Sequence, residues 1–304
     1  MTNVELIKEI NRLKAEKNAI ILVHNYQRGE VQQIADYLGD SLGLSQQAAE
    51  SDADVIVFCG VRFMAESAAI LAPDKTVLLP EPDAGCPLAD TISVEELRKL
   101  KAEYPEAVVV CYVNTTAEVK AESDICCTSA NATKVVDSLN GSKKAILIPD
   151  YNLGHYISTK TSRECILWPG NCPTHHRLTI EELIKAKHDY PQAVVLSHPE
   201  CGADILALTD EILGTGGMVK FVAQSSSKQF IIVTEQDMAT RLERENPDKE
   251  FIIPSRKLIC PNMKLTTLES VYEALLYNQY KVTVDQPIRD KAYQALARML
   301  AVTN

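Results

Sequence analysis

Three cysteines of this 304-residue chain are each followed by proline and recur at a near-constant interval: Cys86 in DAGCP, Cys172 in GNCP and Cys260 in LICP lie 86 and 88 residues apart. Thiolates are soft ligands for zinc and for iron–sulfur clusters. If the repeat closes about an axis, equivalent loops bring the three sulfurs together, so metal ligation is the chemistry they favour. Spacing alone leaves the metal open. Zinc accepts three cysteines with a histidine or water, and His175 and His176 follow Cys172 closely. A [4Fe–4S] cluster on three thiolates keeps one iron free to act as a Lewis acid. The absence of any CxxC pair weighs against structural zinc. The other six thiols do not recur with the repeat: Cys59, Cys111 and Cys165 read as small apolar core residues, and Cys126, Cys127 and Cys201 carry no assigned role.

The elements that would position these thiols are themselves repeated. SVEELRKLKAEYPEAVVV from Ser93 and TIEELIKAKHDYPQAVVL from Thr179 are two copies of one unit, and TNVELIKEINRLKAEKNAIIL from Thr2 is a weaker third. Each opens on a capping box, Thr2 with Glu5, Ser93 with Glu96 and Thr179 with Glu182. A helix then runs into a continuous apolar strand of the kind buried on both faces in parallel sheets. Two further apolar strands follow in each unit, with helical stretches between. The pattern predicts an α/β protein of three pseudo-symmetric αβα three-layer sandwich domains, with small parallel sheets around a central site. The expected units are 1–86, 87–172 and 173–281, with a closing helix over 282–304 docked on the first.

Ligands of open α/β sheets bind beyond the carboxyl ends of the strands. Aligning the first strands of the three units puts His24, Tyr112 and His198 at one position and Tyr26, Asn114 and Glu200 two residues on. Six polar groups at matched strand ends imply a shared wet cavity, because burial without partners is costly. Near the start of the next helix in each unit stands a hydroxyl: Ser41, Ser129 and Thr215. Helix N-termini favour carboxylates and phosphates without needing lysine or arginine. That suits a chain of net charge −10, whose acidity argues against nucleic-acid or anionic-membrane partners. The polar helical opening lacks a signal-peptide pattern, so a cytoplasmic location is expected.

HNYQ at His24, GDSLGLS around Ser41, GCP at Cys86, CYVNT at Cys111, CPTHH at Cys172, HPEC at His198, GTGGM at Thr215 and CPNM at Cys260 stand in an order and spacing that closely resembles the quinolinate synthase A family, over nearly the whole chain. The resemblance implies a triangular arrangement of three αβα domains. It implies condensation of iminoaspartate with dihydroxyacetone phosphate to quinolinate, phosphate and water in NAD biosynthesis. It implies a [4Fe–4S] cofactor on Cys86, Cys172 and Cys260, with one open iron as Lewis acid. Carried over by position, His24, Ser41, Tyr112, Val113, Asn114, Ser129, His198, Pro199, Glu200 and Thr215 would bind substrate, and Tyr26, Tyr112, His198 and Glu200 would serve catalysis. Glu200 is the preferred general acid–base, with a pKa expected to rise toward neutrality. The enzyme supplying iminoaspartate is a candidate protein partner. Some members carry CxxCxxC at the last ligand; here a single thiol stands in CPNMKLTT, so no disulfide switch is expected there. The competing readings are another iron–sulfur hydro-lyase, a non-catalytic zinc module and a cysteine hydrolase on Cys201 with His198.

Overall fold

The computed structural model describes residues 1–139 and 144–303. Its twelve strands form three four-stranded sheets, parallel throughout. The first holds β1 (Ala19–His24), β2 (Tyr37–Gly39), β3 (Val55–Cys59) and β4 (Thr76–Leu78) in the order β2-β1-β3-β4. The second holds β5 (Val108–Tyr112), β6 (Ile125–Cys127), β7 (Lys144–Ile148) and β8 (Glu164–Leu167), ordered β6-β5-β7-β8. The third holds β9 (Val194–Ser197), β10 (Glu211–Ile212), β11 (Gln229–Val233) and β12 (Glu250–Ile252), ordered β10-β9-β11-β12. Helices flank each sheet, as the repeated helix–strand pattern predicts. β3 is buried at all five positions, which is why its sequence VIVFC shows no alternation.

The three capping boxes all form, each hydroxyl accepting the N3 amide and each glutamate accepting the N-cap amide. The sequence reading did not contain the edge strands β2, β6 and β10. They are two or three residues long and carry no period of their own; an aspartate sets each one up. Asp36, Asp124 and Asp210 accept the amides of Ile21, Val109 and Val195 on Oδ2 at 2.8 Å. Each returns its own amide to the carbonyl of the same residue at 3.0–3.1 Å. A carboxylate thus supplies the ladder acceptor just before the edge strand begins.

The C-terminal third departs from a simple three-block reading. Helix Leu268–Tyr277, expected with the third unit, packs Leu268, Val271 and Leu275 against Leu6, Ile10 and Leu13 of the first. The chain then bridges β4, with Val282 donating to the Val77 carbonyl at 2.8 Å. The closing helix, Gln286–Thr303, seats mainly on β6 and helix Ala117–Ala121 of the second unit and only in part on helix Arg62–Leu71 of the first. Arg298 fixes that seat by donating to the Asp124 carbonyl at 2.6 Å. Among the described residues no helix is long and apolar enough to cross a membrane.

Replacing Asp124 with alanine leaves the Val109 amide without its acceptor. The expected loss is about 1–3 kcal/mol of stability, read as a lower urea midpoint; an unchanged midpoint would show that water serves equally well.

Candidate active site

Every sheet presents its strand ends in the same lateral order. The edge strand leads to a hydroxyl, the first long strand to His24, Tyr112 or His198, and the outer strand to a cysteine loop. Adjacent strands lie about 4.8 Å apart, so the thiols stand well away from the hydroxyls. The loops that carry the hydroxyls meet one another, Gly214 packing on Ser129 and Gly216 on Asp40, and the loops that carry the thiols line the same cavity. The cavity, of about 120 Å³, is lined by all three cysteines and by His24, Tyr26, Ser41, Tyr112, Asn114, Ser129, His198, Glu200 and Thr215.

Two residues carried over by resemblance stand elsewhere. Val113 is buried with its amide on the Cys127 carbonyl, and Pro199 faces a separate outer cleft. Cys201 is fully buried against the Val233 carbonyl, away from the cavity, and burial pushes its thiol pKa up, so it is no hydrolase nucleophile. His176 is exposed and only His175 turns inward.

The centre of the cavity is one continuous chain of polar groups. Tyr26 Oη lies 2.6 Å from Thr234 Oγ1, and Thr234 Oγ1 lies 2.8 Å from His175 Nε2. His175 Nδ1 lies 2.7 Å from Glu200 Oε2, and Tyr112 Oη donates to Glu200 Oε1 at 2.6 Å. With His175 protonated on Nδ1, every donor in this chain points toward the Glu200 carboxylate. Burial, followed by the nearby Glu200 charge, raises both phenols well above their ordinary pKa, so they remain donors.

Glu200 itself corrects the sequence expectation. Burial works against its ionised form, but His198, His175 and the hydrogen bonds from His175 and Tyr112 outweigh it and hold the carboxyl below the usual range. Because burial keeps His198 uncharged near neutrality, the lasting support for the carboxylate comes from His175 and Tyr112. A carboxylate so well supplied with donors stays ionised near neutrality, so it must accept a proton before it can act as an acid.

His24 and His198 share one geometry. Each ring accepts a backbone amide on Nδ1, from Tyr26 at 3.2 Å and from Glu200 at 3.4 Å. The neutral tautomer then carries its proton on Nε2, which His198 presents to Ser129 Oγ at 3.2 Å. Burial lowers both pKa values to about 3, so the pair offer neutral N–H donors. Ser41 and Thr215 are the first residues of helices Ser41–Glu50 and Thr215–Gln224, whereas Ser129 stands just ahead of helix Ala132–Ser138. Asn114 Oδ1 is buried and has no partner among the described residues, which leaves it available to a ligand donor.

Two buried acids absent from the sequence reading hold the cysteine loops. Asp150 Oδ2 accepts the Cys172 amide at 3.0 Å while Oδ1 caps the next helix at Leu153. Glu235 Oε1 accepts the Cys260 amide at 3.3 Å and the Lys264 ammonium at 2.8 Å. Both stand two residues past the second long strand of their sheet, where the first unit has Val61; aligning those strands would have revealed them. The thiol pKa values are raised by burial, that of Cys86 to about 12, with Cys86 and Cys172 further raised by neighbouring cavity thiols. Bare thiols of this kind are poor nucleophiles, and a cationic centre is what would ionise them.

The low pKa of His24 has a sign. Its folded value lies below the unfolded one near 6.5, so its contribution to stability is full above pH 6.5 and drains away as pH falls toward 3. His24→Gln is expected to flatten the stability–pH curve across that window by up to about 1.4 kcal/mol per pH unit; urea titrations at pH 4, 5 and 7 test this, and parallel curves would contradict it.

The chain matches known proteins along nearly its whole length. The family described as quinolinate synthetase A protein matches residues 8–301. The quinolinate synthase of Geobacter sp. (strain M21) is 56% identical over 302 residues, covering 99% of each chain. That of Thermodesulfovibrio yellowstonii is 54% identical over 97% of this chain and 98% of its own, and that of Methanosarcina barkeri is 51% identical over 99% of each. Identity above one half along the full length, together with the family match, makes this chain an enzyme of the quinolinate synthase A family.

Proposed function

We propose that the chain condenses iminoaspartate with dihydroxyacetone phosphate to give quinolinate, phosphate and two molecules of water, with Cys86, Cys172 and Cys260 holding a [4Fe–4S] cluster. The observation that supports this reading is that one cavity is lined by the three thiols, by the helix-start residues Ser41 and Thr215 and by Glu200. When bound, the cluster would supply a Lewis acid at the iron that no cysteine holds.

The donor set suits a cluster better than a single ion. Metal–sulfur bonds of about 2.3 Å around one tetrahedral zinc bring thiolates within about 4 Å of one another. Among the described residues, the group whose ligand atoms all lie within 4.8 Å is Cys172, His175 and Glu200; Cys86 and Cys260 stand outside it. That triad is the basis of a second reading, a mononuclear site. It would have to break the 2.7 Å contact between His175 and Glu200 and leave two cavity thiols without a task.

The remaining roles follow from the residues. Helix starts at Ser41 and Thr215 offer free amides and a partial positive charge to carboxylate or phosphate. Neutral His24 and His198 add N–H donors without building positive charge, and Asn114 adds an acceptor for a nitrogen or hydroxyl. Glu200 takes a proton from the bound substrates, with Tyr112 and His175 following the change in charge and Tyr26 extending the chain through Thr234. Burial of these groups keeps water from competing.

Anaerobically purified protein is expected to contain about four irons and about four sulfides per chain and to form quinolinate from the two substrates. Cys86→Ala, Cys172→Ala and Cys260→Ala should each lose most of that iron together with activity. Stoichiometric zinc, or iron-loaded protein that makes no quinolinate, would overturn the reading. Glu200→Gln should keep its iron and lower kcat by about 10²-fold or more; a variant with wild-type kcat would remove Glu200 from proton transfer.

A further inference from the structure

The central cavity shares a wall with a second space. Asp40, Ser129 and Ala130 line both the cavity and an outer cleft of about 610 Å³, whose other sides include Tyr37, Lys134, Tyr156, Lys220 and Arg241. The wall is thin because all three units meet in it with almost no side chain. A Cβ on Gly214 would stand 2.9 Å from Ser129 Oγ, and one on Gly216 would stand 2.3 Å from Asp40 Oδ2. Backbone, one methyl, one hydroxyl and one carboxylate separate the cleft from the cavity.

The cleft is unusual for a chain of net charge −10. Lys134, Lys220 and Arg241 line it against a single acid, Asp40, whose carboxylate is occupied in capping Gly43 at 2.8 Å. Arg241 is spent on structure, donating to Asn25 Oδ1 at 2.6 Å and the Leu38 carbonyl at 2.9 Å and pairing with Glu245. Lys134 and Lys220 are exposed, and neither takes part in an ion pair among the described residues. They are free to act on what passes. A funnel lined by one sign of charge raises the local concentration of the opposite sign and the rate of encounter.

We infer that this cleft is the entrance for the anionic substrates, that they pass the seam between Asp40, Ser129–Ala130 and Gly214–Gly216, and that Lys134 and Lys220 draw them there. The inference rests on the reading that the substrates are a dicarboxylate and a phosphate monoester. It differs from that reading in concerning the approach rather than the bound state, so its signature is kinetic and dependent on salt.

The test is the association rate constant of dihydroxyacetone phosphate with anaerobic holoenzyme, measured by stopped flow at low and high ionic strength. It compares wild type, the double variant Lys134→Glu/Lys220→Glu, and a control of equal charge change remote from the cleft, Lys185→Glu/Lys228→Glu. The expected result is a three- to tenfold slower association for the cleft variant at low salt, closing at about 0.5 M salt where the screening length falls below 5 Å. The control should stay within twofold of wild type, and kcat at saturation should be unchanged in both variants. Equal association rates for wild type and cleft variant, or an equal fall in the control, would overturn the entrance while leaving quinolinate formation standing. Failure of wild-type holoenzyme to bind dihydroxyacetone phosphate would remove the functional reading and the entrance with it.

Discussion

The lateral order of strands, edge then first then second then outer, is shared by all three sheets, and the rest of the molecule depends on it. Parallel strands send all their carboxyl ends the same way, so each sheet delivers a hydroxyl, a ring or amide, and a thiol in fixed sequence along its rim. Three such rims about one axis sort these groups into layers without any single loop reaching far. The aspartates at Asp36, Asp124 and Asp210 protect this order by holding the hydroxyl-bearing edge in register.

Layering also explains the electrostatics. Net charge −10 disfavours acidic ligands in general, and the cavity lining offers two neutral histidines, two helix starts and an unpartnered amide oxygen, with Arg177 as its cation. Glu200 takes hydrogen bonds from Tyr112 and His175, and the free lysines Lys134 and Lys220 stand outside the wall.

Much of this was legible in the sequence because it was written three times. The capping boxes, the long strands and the alignment of His24, Tyr112 and His198 with the spaced cysteines all follow from one repeat, and a repeated signal outweighs local ambiguity. What escaped lacked either length or repetition. Tyr37–Gly39, Ile125–Cys127 and Glu211–Ile212 are too short to show a period. The helices Leu268–Tyr277 and Gln286–Thr303 announce apolar faces but not the surfaces that cover them. The direction of the Glu200 pKa depended on His198 and on His175, whose place beside it is a tertiary contact within the third unit. Asp150 and Glu235 recur in only two of three copies, and Val61 in the first hides the pattern.

We propose that three equivalent loops hold one multi-iron centre and leave part of it uncommitted to protein. Iron-edge anomalous diffraction from anaerobically grown crystals tests it most directly. The expected result is a single compact iron site bonded by the sulfurs of Cys86, Cys172 and Cys260, with no fourth protein ligand. A lone metal ion seated on Cys172, His175 and Glu200, or a cluster closed by a fourth protein group, would contradict it.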